Sequence, residues 1–347
     1  MMTTLYPILR VLTVATTTWV VAACAPMKPS ALLSKITSSF EHIQTTEKVA
    51  TEPLSEPNKA AEIEATLNNP LNQVEVEHVP FFPQKQLQCG PAALATVLAF
   101  SGIQTSADEL SSEVFTPGKE GTLQVDILAG IRRFGLLPYP VNTLNEIIES
   151  LKKKKPVIVF LNLSVPIAPK WHYAVIYGFK NNHFLLRSGT KKSEEISVET
   201  FQKLWQRGDN WGLIVFEANQ DLPRFIQPNL WLQAAIDLEQ VSRFDALQFH
   251  STGLSYWPKD ERFYFTVANG FYEFKQYDRA IKLLKQAVNI QPKFADAWNN
   301  LAELYLKTNQ PKLARQAIEQ AIALGGPRLQ NYLASQEAIN NSKTKKN

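Results

Sequence analysis

The chain has 347 residues, enough for two ordinary domains with a sizeable buried core. A hydrophobic fraction of 45% and a charged fraction of 20% are those of a globular protein and exclude wholesale disorder. The net charge is only +4, and the lysine runs at Lys152 to Lys155 and in the tail from Lys343 to Lys346 read as solvated faces or ends, so nothing points to nucleic-acid binding.

Residues 1–23 read as a signal segment. Arg10 is their only charge, and the apolar run from Val11 to Ala23 is too short to span a bilayer but suits a signal core. The run ends in Val21-Ala22-Ala23-Cys24, which resembles the bacterial lipobox, where small residues precede a cysteine that is lipidated. That resemblance implies acyl chains on Cys24, each buried methylene contributing about 0.8 kcal/mol to membrane attachment. It also implies a place in the cell envelope, anchored and facing the periplasm. Ala25 does not look like an inner-membrane retention signal, so the outer membrane is expected. Residues 24–73 follow, rich in Ser, Thr, Glu, Pro, Lys and Asn with almost no aromatics, and read as a flexible tether.

Residues 74–218 form the first expected domain. Val74 to Val79 reads as an opening strand. Cys89 to Phe100, Ser106 to Phe115, Thr122 to Phe134 and Leu144 to Lys154 have helical apolar spacing, the last closed by Pro156. The segments Val157 to Leu163, Trp171 to Phe179, His183 to Arg187 and Trp211 to Phe216, rich in Val, Ile, Phe and Tyr, read as strands, with Asn181-Asn182 as a hairpin turn. Helices first and strands second predict an α+β domain, its antiparallel sheet packed on the helix that Cys89 opens.

Beyond Asn219 the period changes to 34. Ala246, Ala280 and Ala314 keep that spacing, as do Ala234, Ala268 and Ala302, and Pro258 and Pro292 with Gly326-Pro327 one turn further. It is the period of tetratricopeptide repeats, all-α arrays whose concave surface holds a peptide or protein partner. Residues 261–339 are expected to hold repeats, with Arg328 to Ile339 as a capping helix. Residues 219–260 are expected to be linker helices or a degenerate repeat, because Asp237 stands where an aromatic belongs and His250 at a usually apolar place. Residues 340–347 read as a disordered tail.

The chemistry-bearing residues lie in the first domain. There are only two cysteines, so with Cys24 lipidated Cys89 would have no disulfide partner in an oxidising compartment. The amides of a helix start have no intrahelical partners and the dipole there is positive, a setting that favours a thiolate. A thiol nucleophile needs a base, and of five histidines His172 is best placed. It opens a strand whose end can reach a helix start. His42 falls in the tether, His78 precedes the domain, His183 follows a turn, and His250 lies among the helical repeats.

Gln84-(x4)-Cys89-Gly90-Pro91-Ala92-Ala93, with His172-Tyr173-Ala174-Val175 and Gly178-Phe179, resembles the papain-like cysteine peptidases that process double-glycine leaders of bacteriocins, over about residues 76 to 217. The resemblance implies a papain-like fold with Cys89 as nucleophile, His172 as base and Gln84 as oxyanion donor, Gln86 and Gln88 being competitors for the last role. The sequence itself points to no metal and no cofactor. The aspartate expected some sixteen residues after the histidine is replaced: Ser188, or Arg187, stands there, with Asp209 and Glu194 as possible substitutes. The Ser188 hydroxyl, or a backbone carbonyl, is expected to hold the ring's tautomer, whereas an arginine beside it would disfavour imidazolium. The implied activity is that of a lipid-anchored cysteine peptidase with a repeat-built docking surface. Its alternatives are a catalytically impaired peptide-binding scaffold and a cell-wall peptide amidase.

Overall fold

The computed structural model describes residues 73–341 apart from 117, 119 and 120. The signal segment, Cys24, His42, nearly all of the tether, and residues 342–347 lie outside the described residues. The first part of the fold holds helices α1 (Cys89–Phe100), α2 (Ala107–Val114), α3 (Gln124–Arg133), α4 (Leu144–Lys152) and α5 (Val198–Gln206). Its strands are β1 (Val74–Glu75), β2 (Leu137–Val141), β3 (Val157–Asn162), β4 (Trp171–Lys180), β5 (His183–Ser188), β6 (Lys191–Ser197) and β7 (Gly212–Phe216). The strands form one antiparallel sheet in the order β2-β7-β3-β4-β5-β6, with β1 pairing the far end of β4.

Helix α1 is the centre of this domain. Every residue from Gly90 to Leu98 is buried, as a helix apolar on all sides must be. Leu94 and Leu98 are fully enclosed, and burying each stabilises the fold by about 1.5–3 kcal/mol. The expected opening strand shrinks to Val74–Glu75, because His78 adopts a left-handed φ of 59° that ends strand geometry. Strand β4 turns into β5 through Asn181 and Asn182, at φ 48° and 59°, the positive pair a two-residue hairpin requires.

Three elements were hidden in the sequence. Strand β2 reads Leu-Pro-Tyr-Pro-Val, and prolines are tolerated because it is an edge strand paired only with β7. Strand β6 is the opposite edge and is charged, as exposed edges often are. Helix α5 follows it directly, capped by the Ser197 hydroxyl, with Phe201 and Trp205 buried under the sheet.

The lysine run reads as a solvated face in the sequence, and for Lys155 the structure corrects this. Lys155 is 7% exposed, its Nζ donating to Gln220 Oε1 and lying 4.3 Å from the centre of the Phe216 ring. Burial, only partly offset by the charge of Glu217, brings its ammonium down to about 8. A lysine that releases its proton early in the fold makes the unfolded chain the greater proton binder between about pH 8 and 10.5, so stability should rise with pH across that window. Chemical denaturation of Lys155→Met at several pH values should show that rise flattened.

The second part is all helical: α6 (Pro228–Glu239), α7 (Arg243–Tyr256), α8 (Glu261–Glu273), α9 (Tyr277–Ile290), α10 (Ala295–Lys307), α11 (Pro311–Leu324) and α12 (Leu329–Asn341). Helices α8 with α9, and α10 with α11, form the expected hairpins, and α12 packs on the end. Helices α6 and α7 pair in the same manner. The alanines at the 34-residue spacing are all buried, where small side chains let paired helices approach. Helix α12 runs to Asn341, so residues 340 and 341, expected in a tail, are helical instead.

The two parts share a continuous aromatic seam. Helix α6 packs on β2, and Trp231, fully buried, lies 6.5 Å from Tyr139, 5.2 Å from Phe216 and 5.9 Å from Phe249 between ring centres. The Trp231 indole donates to the Phe249 carbonyl, and the Tyr139 hydroxyl accepts from the Gln227 amide. Asp237, the residue that breaks the repeat pattern, accepts from Arg132 of α3 at 2.6 Å. Gly135, at φ 71°, packs so closely on Asp245 that an added Cβ would sit 2.6 Å from its carboxylate. Trp231→Ala should lower the unfolding free energy by about 3–5 kcal/mol. In denaturant, fluorescence and circular dichroism should report both parts unfolding in one earlier transition.

Candidate active site

The segment before Cys89 is fastened at several points. The Gln84 amide donates to the Gly189 carbonyl at 3.1 Å, tying this segment to the end of β5. Lys85 donates to both carboxylate oxygens of Asp108 at the start of α2, and Gln88 Nε2 donates to Oδ1 at 3.1 Å. Leu87 is held at a left-handed φ of 63°, a conformation costly for a branched side chain and found where a chain must turn sharply.

Cys89 then begins α1 half-buried and without a disulfide partner. No side chain caps this helix end and no acidic residue occupies its first turn, so the first amides face whatever group lies in front of them. Gly90 is required by packing. A Cβ there would lie 2.4 Å from the Thr122 Cβ, so the loop before α3 presses directly on the helix start. The Thr122 carbonyl accepts from the Tyr173 hydroxyl at 3.2 Å. Burial pushes Tyr173 far up from the ordinary tyrosine range, with the charges of Cys89 and Asp126 adding to it, which places the cysteine near the residue that follows His172.

His172 and Ser188 meet across the sheet. His172 Nε2 lies 3.0 Å from Ser188 Oγ, across the paired strands β4 and β5, and Ser188 is buried. Burial holds the His172 ring below its ordinary value of 6.5, the charge of Glu194 pulling it up and that of Lys170 pushing it down. Glu194 on β6 is itself held below the carboxylate norm. Burial works to raise it, but hydrogen bonds from Lys191 and Ser188, with the charges of Lys191 and His172, outweigh that.

Arg187 does not stand beside the imidazole. Its guanidinium donates to the Val79 and Lys192 carbonyls and stacks 3.8 Å from the centre of the Tyr177 ring. Alternation along β5 separates it from Ser188. Asp209 is exposed in the turn before β7. Among the three glutamines, Gln88 is engaged with Asp108, Gln86 is exposed and Gln84 is half-buried. The remaining described histidines are elsewhere: His78 is exposed, His183 binds the Asn181 carbonyl, and His250 is buried against Glu239 at 2.7 Å.

The domain thus holds a half-buried imidazole fixed by a hydroxyl and, at a bare helix start, an unpaired thiol, two groups whose chemistry suits acyl transfer. Residues 79–214 match the model of the Peptidase C39 family. Residues 271–335 match that of the tetratricopeptide repeat. An α+β part that matches the C39 model is thus followed by an all-α part that matches the tetratricopeptide repeat, as expected.

Among solved structures, the peptidase domain of Streptococcus ComA, a bifunctional ABC transporter, is 26% identical. That match covers 40% of this chain and 97% of that one, with a TM-score of 0.33. A double glycine motif protease from an AMS/PCAT transporter, solved with its leader peptide, is 23% identical over 41% of this chain and 96% of that one, with a TM-score of 0.33. The Yersinia enterocolitica type III secretion chaperone SycD, in complex with a YopD peptide, is 20% identical over 33% of this chain and 93% of that one, with a TM-score of 0.31. A search of curated proteins gives no match.

Sequence reasoning did not find the part played by Thr122 and Tyr173. Neither carries catalytic chemistry, and their relevance comes from contacts across the fold that no local motif announces. Gly90→Ala should force the C39 helix start away from the Thr122 loop and cost about 1–3 kcal/mol. A lowered Tm with retained circular dichroism would be its signature.

Proposed function

We propose that the C39 domain is a working cysteine peptidase and that the repeats dock its peptide substrate or a protein partner. The observation that carries this reading is the 3.0 Å contact between His172 Nε2 and Ser188 Oγ, which gives the ring a fixed orientation although the family's aspartate is missing. Cys89 is the nucleophile, His172 the base, Gln84 the oxyanion donor and Ser188 the group that orients the ring.

In the reaction, the Cys89 thiol gives its proton to the imidazole as sulfur attacks the scissile carbonyl carbon. The C–S bond forms while the carbonyl π pair moves onto oxygen, where Gln84 and the amides of the α1 start stabilise it. Collapse breaks the C–N bond, and the imidazolium returns its proton to the leaving amine. Water, deprotonated by His172, then hydrolyses the thioester and frees the thiol.

With the ring held below 6.5, the base is neutral throughout the physiological range. The acid limb of kcat/KM should accordingly fall below pH 6.5. Cys89→Ala should abolish peptide hydrolysis and labelling by a thiol-directed electrophile, while turnover surviving in that variant would end the peptidase reading. A catalytically impaired scaffold is favoured only by the absent aspartate, and the same assay separates it.

The lipobox-like Val21-Ala22-Ala23-Cys24 supports attachment of the chain to a bacterial membrane through Cys24, with the peptidase facing the periplasm, at the outer membrane. Metabolic labelling with an acyl precursor should be lost in Cys24→Ala.

A further inference from the structure

We propose that Glu194 is the positioning carboxylate of this site, acting on His172 through the hydroxyl of Ser188. The inference rests on the peptidase reading and supplies the member that the sequence pattern lacks. Strand β5 ends at Ser188 and turns tightly into β6, with Ser188 opposite Lys191 and Leu186 opposite Glu194. Alternation puts Ser188, Leu186 and Glu194 on one face of the two strands, the face from which His172 Nε2 meets Ser188 Oγ at 3.0 Å. The register shifts between Leu186 and Ser188, so that Ser188 stands opposite Lys191, the residue whose Nζ holds the Glu194 carboxylate, and the serine hydroxyl is among the groups that keep that carboxyl low. Lys191 Nζ donates to Glu194 Oε1 at 2.7 Å, fixing that carboxylate from its outer side.

Proton accounting along this chain selects a tautomer. An ionised carboxylate only accepts, so in this relay the Ser188 hydroxyl turns its hydrogen toward Glu194 and a serine lone pair toward the ring. His172 must then carry its hydrogen on Nε2, which leaves Nδ1 with the free electron pair that a base needs. When that nitrogen takes a proton, Glu194 stabilises the imidazolium through the polarised hydroxyl and through its own charge. The other charges bearing on the ring are Lys170, just before β4, which opposes imidazolium, and Lys191, which is spent on Glu194. Arg187 is occupied by Tyr177 and by backbone carbonyls. Cys89 lies on the side of Tyr173.

The test is an NMR titration of the His172 ring in the full chain with labelled histidine, its signal assigned by its absence in His172→Gln. In Glu194→Gln the midpoint should fall by about half a unit or more, because the imidazolium loses its counter-charge. Ser188→Ala should also lower it, the double variant should go little further than the lower single, and Glu194→Asp should restore part of the shift. An unmoved midpoint in Glu194→Gln, or fully additive effects of the two substitutions, would overturn the proposal. The edge position of Glu194 makes misfolding a small risk, and Glu194→Asp checks it.

With a peptide substrate, Glu194→Gln should lower kcat about tenfold with little change in KM, as expected for a group that aids proton transfer rather than binding. The titration needs no turnover. Retained hydrolysis in Cys89→Ala would end the peptidase reading without touching the relay, and an unmoved midpoint would end the relay without touching the peptidase reading.

Discussion

Burial of α1 on nearly every side is the constraint from which the rest of the C39 domain follows. A helix reading Cys-Gly-Pro-Ala-Ala-Leu-Ala-Thr-Val-Leu-Ala-Phe has no polar face to give to water, so the sheet and the neighbouring helices must enclose it. Its small residues allow close approach, and its interior cannot slide without opening voids. The start of the helix is consequently fixed in space before any chemistry is considered. Gly90 against Thr122, the Gln84 amide on Gly189 and the Asp108 latch then determine what surrounds the sulfur.

The imidazole is handled differently. It sits at the end of a strand, and its far nitrogen is held by a serine that can donate or accept. In water a neutral hydroxyl would be a poor substitute for a carboxylate. In a partly buried site it transmits the field of a charge behind it, because each hydrogen bond in a chain polarises the next. Lys191 keeps that charge in place from the solvent side, and Arg187, the cation whose position in the sequence threatened the site, is drawn off by the Tyr177 ring.

Much of this was legible in the sequence. The cysteine helix, the histidine strand, the Asn-Asn turn and the 34-residue period all come from local patterns, and the pairing of His172 with Ser188 follows once two adjacent strands are aligned. What escaped was decided by partners. Leu-Pro-Tyr-Pro-Val looks like a loop until β7 pairs with it and α6 covers it. Lys155 looks solvated until the chain returns with Gln220. Asp237 looks like decay of a repeat until Arg132 reaches it from the other domain, and Glu194 is one acidic residue among several until the hairpin brings it behind Ser188.

The seam through Tyr139, Trp231 and Phe249 bears on how this polypeptide can be taken apart. A chain cut after the last strand would leave the outer face of β2, with its two prolines and the Tyr139 ring, open to solvent, and the hydroxyl that receives the Gln227 amide would lose that donor. The first hairpin of the helical array serves as the missing wall of the α+β half. The two halves are coded in succession, yet they close over a shared interior, and neither is a cassette that could be grafted elsewhere intact.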